Sequence, residues 1–288
     1  MSRRPRPTDE SSDDRFSPSD RELARRFGRH LLKYPSDAVR IVSLGGKWFE
    51  THPANDRWII EIGSGQGALT AELVRTYPHT NIVGVELERE SARALRSQFA
   101  AEKRVSIVET DILRWAIPSH IKSTLIVGNL PYSISAPILD WTVRHRDRID
   151  LAVYMLQREV AQRLSAGPGT KNWAPISIMT QLYFEIDLRF TLGPERFVPP
   201  PKVDSSVVTL LRRDLLSAPP PPNFERVVRA GFAQRRKLLR KNLVAGLGLS
   251  NARAVEVMEL VNLGENARAE EMSISSFISL AKALAPSP

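Results

Sequence analysis

From residue 57 onward the chain alternates between short, β-branched apolar runs and stretches with helical spacing. Residues 57–62, 81–87, 105–108, 124–129 and 151–156 read as strands, with 68–77 and 89–101 as helices between the first of them. Strands separated by helices predict a doubly wound, mostly parallel α/β sheet. Ligands of such sheets bind beyond the carboxyl ends of the strands, near the topological switch. Residues 157–166 have amphipathic spacing and stop at Gly167-Pro168-Gly169, and 175–184 predict a further helix. Two late strands, 186–192 and 206–211, are joined through Phe197-Val198-Pro199-Pro200-Pro201-Lys202. That rigid stretch argues against a tight hairpin. Upstream, Pro35-Ser36-Asp37 supplies a helix start, followed by Val39, Ile41, Val42 and Leu44.

The run Ala218-Pro219-Pro220-Pro221-Pro222 is the clearest boundary, because consecutive prolines lack amide donors and favour extended geometry. Beyond it, 224–232, 237–245, 252–261 and 273–284 show helical periodicity. Residues 1–20 mix Arg, Pro, Ser and Asp with almost nothing apolar, which predicts a disordered arm. The expected division is an arm at 1–20, an α/β domain at 21–216, a Pro-rich linker at 217–222 and a helical domain at 223–288.

Composition narrows the class. Of 288 residues, 42% are hydrophobic, enough for a proper core, and 41 Lys+Arg against 32 Asp+Glu leave a net charge of +9. Such an excess favours a polyanionic partner, by neutralising phosphates and releasing counterions. An anionic membrane surface would also attract it, but no run reaches the ~18 apolar residues of a spanning helix. No signal-peptide core follows the start, so a soluble, cytoplasmic protein is expected. The absence of cysteine removes disulfides, thiolate catalysis and Cys-based zinc sites. His30, His52, His79, His120 and His145 lack ligand spacing, so no metal is expected. Nothing resembles an oligomerisation segment, and a monomer is expected.

The informative residues fall at strand ends. Glu61-Ile62-Gly63-Ser64-Gly65-Gln66-Gly67 closes the first strand and opens the first helix, where glycines let backbone amides approach a ligand. Its spacing is neither the dinucleotide fingerprint nor a P-loop. Glu86 ends the second strand, where a carboxylate can accept both hydroxyls of a ribose. Asp111 ends the third, placed to accept from an adenine amino group. The fourth ends in Gly128-Asn129-Leu130-Pro131-Tyr132. There the Asn129 side-chain oxygen and the Pro131 carbonyl can accept from an exocyclic amine, and the Tyr132 ring can stack on a base. A strand end turning at Asn-Leu-Pro, with Tyr132 as packing, is the alternative for these residues taken alone.

Taken in order, these segments resemble class I S-adenosylmethionine-dependent methyltransferases acting on exocyclic amines. More narrowly, they resemble the ribosomal RNA adenine N6-dimethyltransferases of the KsgA type. Further matches are Arg26-Phe27-Gly28-Arg29-His30-Leu31-Leu32, Met155-Leu156-Gln157-Arg158-Glu159-Val160, Ala166-Gly167-Pro168, Phe197 to Ser205 and Phe232-Ala233-Gln234-Arg235-Arg236-Lys237. The resemblance implies a cofactor site for S-adenosyl-L-methionine at His30, Leu32, Gly63, Gly65, Glu86, Asp111 and Asn129. It implies a catalytic set of Asn129, Leu130, Pro131, Tyr132 and Phe197, with Tyr132 and Phe197 sandwiching a flipped adenine. The implied substrate is a pair of adjacent adenosines in the 3′-terminal hairpin of 16S rRNA, in the immature small subunit. One departure stands out: the family motif usually reads Gly-Gln-Asn/His-Phe-Leu, where this chain has Gly28-Arg29-His30-Leu31-Leu32.

RNA contact is expected from Arg235, Arg236, Lys237, Arg240 and Lys241, read as a stripe on a helix, and from the basic cluster at 21–33. Arg144, His145, Arg146 and Arg148 form a weaker candidate. Two other functions stay open: a large-subunit adenine methylase of the antibiotic-resistance type, and a non-catalytic RNA-binding assembly factor.

Overall fold

The computed structural model describes residues 16, 22, 28–52, 57–213 and 219–285. Nearly all of the expected arm, much of the basic cluster at 21–33 and the first two residues of the expected linker, 217 and 218, lie outside the described residues. The chain divides into two units: one ends at Ala161 and takes in Glu185–Arg212, the other holds Gln162–Phe184 and the chain from Arg213 onward.

In the first unit the expected apolar runs become strands of a seven-stranded sheet. Its centre is β2 (Trp58–Ile62), parallel to β3 (Asn81–Glu86) on one side and β5 (Thr124–Asn129) on the other. Outside β3 lies β4 (Val105–Glu109), also parallel. Beyond β5 come β6 (Ile149–Gln157), parallel, and β9 (Ser205–Arg212), antiparallel, with β7 (Phe184–Leu192) on the edge beside β9. The chain thus winds outward from β2 to β4, then returns to β5 and winds the other way. The switch falls between β2 and β5, and ligand sites of such sheets lie at that switch. Strands β2 and β5 are buried and mostly apolar along their length, as inner strands of a parallel sheet are, with Glu61 and Thr124 as buried polar exceptions.

Helices α1 (Pro35–Ser43), α2 (Gly46–Thr51), α3 (Ala68–Thr76), α4 (Arg89–Gln98) and α5 (Ser135–Arg144) belong to this unit. Proline is tolerated at the first position of α1, whose amide would lack an intrahelical partner in any case. Helix α5 escaped the sequence reading. Pro137 sits in its first turn, where no intrahelical donor is needed, and Ile138, Leu139 and Trp141 bury its apolar face. Ile41, Ile59, Leu73, Leu125 and Val153 lie in one core cluster of this unit.

The connection from β7 to β9 is longer than a hairpin. After the turn Pro194–Arg196 it forms β8 (Phe197–Val198), antiparallel to β1 (Leu31–Leu32), with Leu32 opposite Phe197. Arg196 fastens this pair: its backbone carbonyl accepts from Lys33 N–H at 2.8 Å. Its Nε donates to fully buried Asp37 at 2.8 Å, and its guanidinium lies 3.9 Å from the Tyr34 ring centre.

In the second unit, Trp173, Ile178 and Leu182 share a core with Phe224, Leu243 and Phe277. Its helices α7 (Pro175–Gln181), α8 (Phe224–Gly231), α9 (Leu239–Leu247), α10 (Asn251–Leu260) and α11 (Ile274–Ala283) match the expected ones to within a few residues. The segment Gln162–Phe184 therefore groups with the C-terminal helices, whereas a boundary drawn at the prolines leaves it in the α/β domain. The expected helix at 157–166 is shorter as well. Gln157 is still paired in the sheet with Ser205, and α6 spans Arg158–Leu164.

Replacing Arg196 by Ala leaves Asp37 buried with, among the described residues, the more distant Arg40 as its remaining cation, 3.8 Å away. A broken buried pair costs ~3–5 kcal/mol, and the lower end is expected here. Urea denaturation measures it; a loss under about 1 kcal/mol, the scale of exposed pairs, would contradict this role.

Candidate active site

The tips of β2, β3, β4 and β5 converge on one cleft. At the end of β2, Gly63 takes a left-handed φ of 70°, and a Cβ placed there would meet nothing within 4 Å. The space in front of its backbone is open for a ligand. Gly67 is held differently: at φ 78° a Cβ would come within 2.9 Å of Leu95. Ser64 Oγ, at the same turn, is buried; it has no geometric hydrogen-bond partner among the described residues, but its hydroxyl interacts with the Glu61 carboxyl and lowers that group's pKa.

Glu86 closes the tip of β3 and is fully buried. Its Oε2 accepts from Gly65 N–H at 2.9 Å, its Oε1 accepts from Glu88 N–H at 2.8 Å, and Arg29 makes an ion pair with Oε1. Asp111, beyond β4, accepts from Leu113 N–H at 2.9 Å and stays partly exposed, so its carboxylate keeps acceptor capacity. At the tip of β5, Asn129 Nδ2 donates to the His30 carbonyl at 2.7 Å, which leaves Oδ1 as an acceptor. Leu130 is buried, and its N–H donates to the Met155 carbonyl at 3.1 Å. The Tyr132 hydroxyl lies 2.6 Å from Ser205 Oγ, and its ring centre 5.0 Å from that of His30. Burial raises the Tyr132 hydroxyl above its ordinary pKa, partly offset by the bond with Ser205. His30 Nδ1 faces the Pro199 carbonyl at 2.8 Å and so carries the proton.

Two cavities meet here. One is lined by His30, Gly65, Asn129 and Tyr132, the other by Leu87, Asp111, Ile112 and Ile134; Arg29, Gly63 and Pro131 line both. The second holds about 530 Å³, within the ~300–1,000 Å³ usual for ligand pockets. Open space before Gly63 and a buried carboxylate at a strand tip fit a nucleoside with a polar tail.

His30, Leu32, Gly63, Gly65, Glu86, Asp111, Asn129, Leu130, Pro131 and Tyr132 are thus brought together. Phe197 is not: it is 2% exposed, paired in β8 and packed in the core, and it lines neither cavity. Sequence reasoning missed Leu87 and Ile112 as walls. An apolar side chain 56% exposed directly after Glu86 is the signal Leu87 offers.

The basic segment of the second unit differs from the expected stripe. Leu238 is extended and α9 begins at Leu239, so Arg235, Arg236 and Lys237 lie on the preceding turn, with only Arg240 and Lys241 on the helix. Buried Asn242 shapes that turn, donating to the Gly231 and Gln234 carbonyls at 2.6 and 3.1 Å. Arg235 is engaged within its own unit, with Glu270 at 3.2 Å and with the Lys171 carbonyl. Arg236, Lys237 and Lys241 are exposed; Arg240 is half-buried.

Glycine turn, acidic strand tips and a two-directional sheet define a class I methyltransferase fold, the class of S-adenosylmethionine-dependent enzymes. Solved structures share it: a dimethyladenosine transferase from Plasmodium falciparum has a TM-score of 0.72 at 22% identity, over 87% of this chain and 96% of that one. The 23S rRNA methyltransferase ErmE has a TM-score of 0.65 at 24% identity, over 88% and 99%. The family described as ribosomal RNA adenine dimethylase matches residues 24–286. Proteins named ribosomal RNA small subunit methyltransferase A are similar along almost their whole length. The one from Alcanivorax borkumensis is 35% identical, covering 91% of this chain and 90% of its own; that from Gloeobacter violaceus is 36% identical, covering 91% and 94%. The chain belongs to the ribosomal RNA adenine dimethylase family.

One site residue has a measurable pH signature. Glu61 is buried beneath the glycine turn, where its carboxylate accepts from the Thr70 hydroxyl. Burial above all, with the nearby negative Glu86, pushes its carboxyl from 4.5 up to about 7, against the pull of the hydrogen bonds from Thr70 and Ser64. The folded state therefore holds this proton more tightly than the unfolded state. The group's contribution to stability is full below pH 4.5 and is lost as pH rises through about 7. Glu61→Gln is expected to remove that fall, on the order of 3 kcal/mol. Denaturant titrations at both ends of the window check it; an equal fall in wild type and variant would contradict it.

Proposed function

We propose that this protein transfers methyl groups from S-adenosyl-L-methionine to the N6 amines of two adjacent adenosines in the 3′-terminal hairpin of 16S rRNA, in the cytoplasm, as the small subunit matures. The observation that carries this reading is the β5 tip. Asn129 commits its amide nitrogen to the His30 carbonyl, which leaves its oxygen as an acceptor in the cavity that Pro131 also lines. Pro131 C=O already takes Ile134 N–H at 3.2 Å and keeps a second lone pair. Two acceptors favour a pyramidal amine with its lone pair free to attack. The bound cofactor supplies an electrophilic sulfonium methyl.

The chain's residues then have distinct tasks. Gly63, Gly65, Glu86 and Asp111 hold the cofactor, and Leu87 and Ile112 wall its base. Tyr132 stacks on the target adenine, its hydroxyl anchored by Ser205. Phe197 positions β1 from behind. No general base is needed, because the nitrogen becomes acidic as the new bond forms. Alignment and electrostatics of this kind are worth up to ~7–11 kcal/mol. The second transfer needs the monomethylated amine to turn its methyl away from one acceptor, so room around Tyr132 governs it.

The relatives at 35–36% identity favour the small subunit as target. Labelled cofactor offered to undermethylated small subunits, large subunits and naked RNA of each tests the proposal. N6,N6-dimethyladenosine from the small subunit is expected, with kcat/KM reduced ~10²–10³-fold in Asn129→Ala. Label in large-subunit RNA would replace the target, and tight binding without label would leave an assembly factor. For RNA contact, Arg236→Ala with Lys237→Ala is expected to lower the salt dependence of binding by about two phosphate contacts. Unchanged binding across several salt concentrations would remove this turn from the interface.

A further inference from the structure

Arg29 lines both cavities, and the carboxylate it pairs with, Glu86, is fully buried and lines neither. A nucleoside with its base against Leu87 and Ile112 and its tail toward Gly65 and Asn129 spans both, and its ribose passes Arg29, the side chain that covers Glu86. That carboxylate already takes three donors: Gly65 N–H on Oε2, and Glu88 N–H and the Arg29 guanidinium on Oε1. A carboxylate has about four acceptor sites, two on each oxygen. Oε2 therefore has room for one hydroxyl, and Oε1 has none while Arg29 remains. The two backbone donors are fixed by the strand-to-helix turns. Arg29 instead reaches in by its side chain from the segment before β1, just after Gly28 at φ 60°. It is the donor of the three that can leave.

Building on the cofactor reading above, we propose that Arg29 is a latch on the ribose subsite, displaced from Glu86 Oε1 when both ribose hydroxyls of the adenosyl cofactor bind. Without ligand it answers a carboxylate that has no access to water. With ligand, the ribose diol takes over that task. The latch makes the empty site stable at the expense of affinity, and it makes tight binding depend on the diol. It also gives Arg29, which stands where the family motif has Gln, a task specific to this chain.

Calorimetric titration of the full-length protein with S-adenosylhomocysteine, and with its 2′,3′-dideoxyribose analogue, tests the proposal without reference to turnover. A charge-assisted bond released before binding predicts that Arg29→Ala binds S-adenosylhomocysteine about tenfold more tightly than wild type. Affinity for the dideoxy analogue should not rise, so discrimination between the ligands widens by the same factor. The ligand-free variant should melt lower, with the gap closing at saturation. Arg29→Gln, whose amide keeps one donor for Glu86, should fall between the two and guards against loss of fold in the Ala variant. Equal or weaker binding by both variants, with wild type binding normally, would overturn the latch and leave the cofactor site standing. Failure of wild type to bind S-adenosylhomocysteine at all would overturn the cofactor reading and the latch with it.

Discussion

A carboxylate shut off from water at the end of a parallel strand has to be answered by donors, and the cleft is arranged around that requirement. Glu86 receives backbone N–H groups from both flanking turns, so the glycine turn after β2 and the start of α4 are oriented by one side chain. Charge-assisted bonds of this kind are stronger than neutral ones. They also leave the carboxylate with little spare capacity, which is what allows a third donor to act as an occupant that a ligand displaces.

The other half of the site depends on a chain segment far away in sequence. Residues 28–32 have no strand of their own length to sit in. They are held by a two-residue pairing with Phe197 and Val198, by Asn129 on the His30 carbonyl and by His30 on the Pro199 carbonyl. Arg196 and buried Asp37 fasten the far end of that pairing to α1. The Asn129 amide is consequently oriented by the same contact that positions His30. Acceptor geometry at β5 and closure of the N-terminal segment are one arrangement.

Much of this was legible in the sequence because strand ends announce themselves. Gly63, Glu86, Asp111 and Asn129 each follow an apolar run, and the topology of a parallel sheet brings such ends together. What was not legible depends on long-range partners. Trp173, Ile178 and Leu182 carry ordinary helical spacing, and nothing local says that they bury themselves against Phe224 and Phe277. Phe197 reads as an available ring until its pairing with Leu32 shows it buried. Arg235 reads as a free cation until Glu270, 35 residues later, lies beside it. Helix α5 was hidden by Pro137, which breaks a helix interior and is harmless in a first turn.

A crystal structure of the full chain with S-adenosylhomocysteine tests the central assignment most directly. The account predicts both ribose hydroxyls on the Glu86 carboxylate, the base between Leu87 and Ile112 with its amino group toward Asp111, and the Asn129 oxygen facing the position of the methyl group. A ligand seated elsewhere, or a ribose that makes no contact with Glu86, would contradict it.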